Sequence, residues 1–217
     1  MRTITVKGTG YVKAAVDNIV ISMSLSAIDL MYDTAMERAA EQLEQLAQSL
    51  TTVGFEKSAL KTTNFHVSTE YSSEKDRYDN YKRIFVGYQV NHNLKLEFDF
   101  NIVVLANVLA AIGASPAKPE LHIRFTVKDD EAINEELLRQ ATINARKKAE
   151  ILCTASNVTL GDLQTVQYNW GELDIYSHTD YRVAEDCLME PMMMKSMDIT
   201  PDDIDVSDTV TFVWETK

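Results

Sequence analysis

The residues with the most evident chemical potential lie between Met189 and Met197, where the run MEPMMMKSM holds five of the chain's nine methionines. Thioethers are soft ligands suited to Cu(I), and methionines at short spacing supply several at once. Met189, Met192, Met193, Met194 and Met197 are the candidate ligands, with His178 and Cys187 near them in sequence. The same side chains can absorb oxidant by cycling through the sulfoxide. A third role needs no chemistry: flexible methionines fill irregular space and make adaptable contact surfaces. The sequence favours this last role, because nothing else in it points to a copper-handling compartment. Met192, Met193 and Met194 are then the candidate contacts between copies of the chain.

The remaining reactive side chains converge less. The four histidines are scattered. His66 and His122 fall on the polar faces of alternating stretches, and His92 on an apolar face, where a hydrogen-bonded core histidine is expected. No pair of histidines has the spacing of a helical zinc motif. Cys153 falls beside an apolar helical stripe and is expected to be buried and inert. Cys187 sits among Glu185, Asp186 and Glu190, whose charges oppose a thiolate. Asp198, Asp202, Asp203, Asp205 and Asp208 form an acidic group but lack the glycine and terminal glutamate of a calcium loop, so they read as a solvated turn before a strand. The GTG at Gly8 to Gly10 lacks the third glycine and the following helix of a nucleotide loop. No catalytic residue, metal or cofactor is assigned.

Composition narrows the field further. With 33 acidic against 21 basic residues, the formal charge is −12, a field that repels phosphate backbones and anionic lipid. The one basic run, RKKAE at Arg146 to Glu150, lies within a helical pattern, ends on a glutamate and reads as a solvated face. Two cysteines make no disulfide framework. The N-terminal MRTITVKGTG has no apolar signal core, and no run approaches the about 18 apolar residues of a membrane span. A cytoplasmic protein that neither binds nucleic acid nor spans a membrane is the expectation.

The elements that must position these residues follow from hydrophobic period. Ile19, Ile21, Met23, Leu25 and Ala27 alternate with Ser22, Ser24 and Ser26, which predicts a strand buried on one face. The stretch from Thr3 to Lys7 alternates likewise; Gly8 and Gly10 suggest a bulge or bend, and turn residues Val16 to Asn18 suggest a hairpin between the two strands. Apolar residues at three and four predict a helix over 32–52, with Asp29 or Asp33 as cap and Gly54 as stop. A strand with Phe65 and Val67 inward follows. A polar loop or hairpin tip then precedes the strand GYQVNHNLKLEF, whose apolar row is Tyr88, Val90, His92, Leu94, Leu96 and Phe98. A short helix over Ile102 to Ile112 and a strand with Leu121, Ile123, Phe125 and Val127 inward come next. The long helix over 131–156 carries the stripe Ile133, Leu137, Ala141, Ala145, Ala149 and Leu152, and its three alanines at four-residue spacing imply a close approach to a sheet or helix. LQTVQYNW and DTVTFVWE are strands, and the stretch between them reads mainly as loop. The fold class is α+β with mostly antiparallel sheets, two long helices and one short helix. A weak echo between the halves suggests equivalent roles for the long helices.

This order of segments resembles the SIMPL-domain family over nearly the whole chain. The resemblance is carried by VKGTG, TTNFHVSTEY, GYQVNHNLKLEF, ATINARKKAEILCTASNVTLGDLQTV and the closing VSDTVTFVWE. It implies a single domain over 1–217 built of two interleaved modules, which we place at 1–80 plus 198–217 and at 81–175. It also implies large homo-oligomers and a loose link to envelope biology and oxidative-stress tolerance, without an established reaction. Many relatives have a secretory signal that is not seen here, and PDD at Pro201 to Asp203 stands where relatives often have Pro-Gly. The functional expectation is a non-enzymatic, self-assembling protein. The alternatives are a soft-metal or oxidant-buffering protein acting through 189–197, and an enzyme whose site would appear as a pocket of convergent polar groups.

Overall fold

Eight strands and three α-helices make up the described residues of the computed structural model, which are 2–75, 81–168, 173–179, 181–183 and 200–217. They divide into two compact units, each assembled from separated stretches of chain: one from 1–17, 125–179 and 201–217, the other from 18–124 and 180–200. These borders differ from the modules 1–80 plus 198–217 and 81–175 expected from sequence. The first strand and the last stretch of chain share a unit in both divisions; the difference is that 18–80 groups with 81–124, and 125–179 with 1–17 and 201–217.

That strand, β1 (Arg2–Ala14), does not pair with its successor β2 (Asn18–Asp29). It pairs antiparallel with the last strand, β8 (Ile204–Thr216), in unbroken register from Arg2 opposite Thr216 to Ala14 opposite Ile204. The hairpin expected at 16–18 is therefore replaced by a passage from one unit to the other. The bend expected at Gly8 and Gly10 is absent too. A Cβ on Gly8 would stand 1.9 Å from the Ala141 carbonyl oxygen, and one on Gly10 2.0 Å from that of Leu137. Both glycines serve to let the long helix α3 (Asp130–Ala155) lie directly on the strand. The helix answers with Ala141, Ala145 and Ala149, each fully buried against Val6, Val210, Phe212 and Trp214. Its stripe closes on Cys153, which is buried, while Leu152 is half exposed. The Asp129 carboxylate caps the start by accepting the Ala132 N–H at 2.9 Å. Asn157, at φ +53°, ends the helix in the left-handed region that asparagine tolerates. The sheet of this unit is completed by β6 (Leu160–Gln167), in the order β1-β8-β6.

The other unit holds a five-stranded sheet whose order is completed by β3 (Lys61–Lys75), β4 (Tyr81–Asp99), β5 (Glu120–Thr126) and β7 (Tyr181–Val183): β3-β4-β2-β5-β7. The alternation in β2 is realised as expected, with Ile19, Ile21, Met23 and Leu25 all nearly inaccessible. Each such side chain contributes about 1.5–3 kcal/mol on leaving water. Helix α1 (Tyr32–Thr51) lays Ala35 and Ala39 on Ala27 of this row and on Val90 opposite it in β4. Asp29 steadies its start without capping it, accepting the Met31 N–H at 3.0 Å and pairing with Arg38 at 3.0 Å. Helix α2 (Ile102–Gly113) begins where the Asn101 side chain accepts the Val103 and Val104 N–H groups. Each long helix thus serves one sheet, the equivalence that the echo between the halves suggested.

Sequence placed the start of the fourth strand at Gly87, but β4 begins at Tyr81 and is met by β3 as far as Lys75. Because β2 meets β4 only from Tyr88 to Asp99, the rest of the hairpin projects past β2 as a two-stranded arm. Phe65, expected inward, is exposed, and Val67 is half-buried. Within the stretch read mainly as loop, Tyr181–Val183 pairs with Leu121–Ile123 as β7, and Tyr176 bridges Thr126. No described helix is long and apolar enough to cross a membrane.

Candidate functional site

Two features of the five-stranded unit concentrate side chains that its packing does not require. The first stands at the base of the arm. Tyr71, Phe85, Tyr88 and Tyr32 form a ladder of edge-to-face rings with centroids 5.6, 5.4 and 5.7 Å apart. Edge-to-face geometry sets the positive rim of one ring on the negative face of the next. The Arg83 guanidinium lies 3.9 Å over the Tyr71 ring and extends the stack. Tyr71, Phe85 and Tyr32 nonetheless remain exposed, as do Leu30 and Met31 nearby in the chain. Gly87 makes the arrangement possible. A Cβ there would stand 2.5 Å from the Asp29 carbonyl oxygen, and the register shift between Glu70 and Tyr71 turns the arm at this point. Beside the ladder runs β3, which pairs on one side only among the described residues. From Thr62 to Thr69 it carries no Lys, Arg, Asp, Glu or Pro, the residues that usually guard an open strand edge.

The second feature is a cavity of about 700 Å³ on the opposite face of the same sheet from the buried row, lined among others by Ser22, Ser24, Asn93, His122, Arg124 and Arg182. The period of two explains the set. Ser22 and Ser24 alternate with Ile21, Met23 and Leu25 along β2, and Glu120, His122 and Arg124 alternate with Leu121 and Ile123 along β5. Arg182 on β7 stands directly opposite His122, so both side chains leave the sheet on one face. Ser24 Oγ donates to Asn93 Oδ1 at 2.9 Å. Thr63 is the extra residue at a bulge between Thr62 and Asn64, which turns it into the cavity wall while its hydroxyl donates to the Asn93 carbonyl at 3.2 Å. Met23, Leu94 and Leu121 also line the cavity, so these polar groups share the wall with apolar ones.

The sites expected from sequence fare unevenly. Met189, Met192, Met193, Met194, Met197 and Cys187 lie outside the described residues, and so does Asp198; His178 is exposed. Asp203 pairs with Lys13 at 3.4 Å, Asp205 accepts the Tyr11 hydroxyl at 2.9 Å, and Asp208 accepts the Thr209 N–H at 2.7 Å. These acids are spread along and just before β8, and among the described residues no three His, Cys, Asp or Glu side chains gather around a cation position. The Asp205 hydrogen bond raises the Tyr11 pKa, and the Asp203 hydrogen bond raises that of Lys13. Cys153 is buried, as expected. His92 is buried, hydrogen-bonded to Thr62 Oγ1 at 2.9 Å and in edge-to-face contact with Phe65; burial lowers its pKa. In the basic run, Arg146 pairs with Glu150 at 3.0 Å and Lys148 donates to the Lys7 carbonyl, the behaviour of an exposed helix face. Arg124 and Arg182 were not singled out from sequence. The signal for Arg124 was legible in the polar row Glu120, His122, Arg124. Arg182 has none, because a three-residue strand is too short to show a period.

No curated protein matches the chain. A family model matches residues 4–214, nearly its whole length; the family is described as SIMPL, protein of unknown function (DUF541). Because the match spans well over half of its length, the chain belongs to the SIMPL family.

Proposed function

We propose that this protein works by assembling with further copies of itself, as a scaffold and not through turnover of a substrate. The observation that carries the proposal is the aromatic ladder Tyr71, Phe85, Tyr88 and Tyr32 at the base of the projecting arm, with Tyr71, Phe85 and Tyr32 exposed. Edge-to-face rings left open to water are unusual on a chain of such charge, and contiguous apolar surface marks a place of contact. A second copy is the occupant we favour, because the adjoining β3 edge is self-complementary. Two such edges run antiparallel about a twofold axis would satisfy each other's N–H and carbonyl groups and bring the ladders together. Met192, Met193 and Met194 enter the same proposal as further contacts. A formal charge of −12 opposes nucleic acid and anionic membrane as alternative partners. A part in stress tolerance or envelope biology rests on family resemblance.

Sedimentation velocity of the purified chain, beside a Tyr71→Asp/Phe85→Asp variant, tests the proposal. Both side chains are substantially exposed, so the variant is expected to keep its circular dichroism spectrum. The expected result is a discrete assembly for the parent chain and a monomer for the variant. A parent chain that stays monomeric at high micromolar concentration would sink the proposal.

A further inference from the structure

We infer that the cavity on the polar face of the five-stranded sheet binds a small organic anion: a carboxylate or phosphate carried on a body rich in hydroxyl groups. Three observations converge on that class. The first is charge. In a chain of net charge −12, β5 and β7 place Arg124, Arg182 and His122 in one cavity wall, with Arg182 and His122 directly opposite each other. Arginine offers a planar fork of five N–H donors that matches a carboxylate or phosphate with two parallel bonds. Both arginines and His122 also interact within the protein, and a bidentate oxyanion needs only two of the five donors of a guanidinium.

The second observation is the rest of the wall. Ser22, Ser24, Thr63 and Asn93 line the same cavity, and these are small donors and acceptors suited to hydroxyl groups. Thr63 reaches the wall only because β3 is bulged there, and bulges are characteristic of places where a side chain is re-aimed. Glu120 also lines it. Its charge works against a bare inorganic anion, while its oxygens suit the hydroxyls of a larger ligand. The third observation is an adjoining cavity of about 230 Å³ that shares Ser24 and Glu120 and is lined by Gln42, Gln89, Asn91 and Lys118. Gln42 Oε1 is buried without a hydrogen-bond partner among the described residues, an acceptor that a ligand hydroxyl or a bound water would satisfy. Lys118 at its rim is held at φ +43°, a backbone conformation that costs a non-glycine residue energy and that clusters at ligand sites. The gradient from guanidinium at one end to amide and hydroxyl at the other is what separates this reading from a simple anion site.

The test uses D-gluconate, glucose 6-phosphate and D-glucose as probes on the full chain, by isothermal titration calorimetry with amide chemical-shift mapping. At least one of the two anions is expected to bind and to shift Ser22, Ser24, Asn93 and His122, while glucose does not; their relative affinity tells carboxylate from phosphate. Arg124→Gln/Arg182→Gln is expected to weaken binding by about tenfold or more, the loss that follows from removing charge-assisted hydrogen bonds. Should that variant fail to fold, His122→Gln and the shift map of the parent chain decide instead. Silence from both anions up to about 10 mM, glucose binding as tightly as the anions, or shifts confined to other surfaces would each overturn the inference.

Discussion

His92 shows how one buried group couples stability to pH. Its ring is 6% exposed, and burial lowers its pKa below the ordinary imidazole value of about 6.5. Above that value neither the folded nor the unfolded chain holds the proton. As pH falls below it, the unfolded chain takes up a proton that the folded chain still refuses, so stability falls until the folded pKa is reached and then levels. Glu97 behaves in the opposite chemical sense. Hydrogen bonds from Lys95 and Asn18 lower its pKa, so its contribution is present above the ordinary carboxylate range and is lost as pH falls through the folded value. As pH falls, the imidazole window opens at about 6.5 and the carboxylate window only at about 4.5. Urea midpoints measured from pH 7.5 down to pH 5 are therefore expected to decline in the parent chain and to decline less in His92→Gln. Equal slopes in the two proteins would mean that the imidazole takes up its proton as readily in the fold as in the unfolded chain. Its burial was legible in sequence, because it occupies an apolar position in the row from Tyr88 to Phe98. Its partner Thr62 was not, because cross-strand register depends on a bulge that no period reveals.

At the level of elements, the contact of α3 with β1 is the packing with the least tolerance. A residue that adds a Cβ at Gly8 meets the Ala141 carbonyl oxygen, the Ala145 Cβ and the Ala145 amide nitrogen, at 1.9, 2.6 and 2.8 Å. Two of the three atoms are backbone, so relief requires the helix to move off the strand, and burial of Phe212 and Trp214 beneath it loosens with it. Gly8→Ala is expected to cost at least the upper end of the about 1–3 kcal/mol typical of overpacking. Gly54→Ala is the control: its φ is +93° with open space around it, so only the left-handed backbone penalty of about 1–2 kcal/mol applies. Chemical denaturation of both variants checks the order. If Gly8→Ala proved the milder of the two, the close approach of helix and strand would be refuted. The alanine half of this contact was readable from four-residue spacing, since small residues repeated on one face imply a near neighbour. The glycine half was misread as a bend. A glycine in a strand signals either a distorted backbone or a neighbour that needs its missing side chain, and only the partner distinguishes them. Pairing was hidden for the same reason. Alternation states which face of β1 is buried, whereas its partner lies about two hundred residues away at Ile204–Thr216.

For the whole molecule, the formal charge and the aromatic ladder pull in opposite directions. Copies that each carry −12 repel one another over distances comparable with the Debye length, about 10 Å at 0.1 M salt and 30 Å at 0.01 M. The proposed contact is short-ranged. It consists of rings such as Tyr71 and Phe85 leaving water and of backbone groups pairing along the β3 edge, and neither is weakened by salt in proportion. Raising ionic strength therefore removes the opposing force and leaves the attractive one. The local charges on the arm do not reverse this. Arg83 is stacked on Tyr71 and Lys75 on Tyr81 within the same hairpin, and Glu74 stands opposite Lys82. Self-association followed by light scattering is expected to tighten from 0.01 to 0.3 M sodium chloride, with the Tyr71→Asp/Phe85→Asp variant unresponsive across the series. Association that weakens with salt would point to pairing between the basic residues of one arm and the acidic surface of another copy. The ladder would then be displaced as the adhesive element, even with the assembly itself intact.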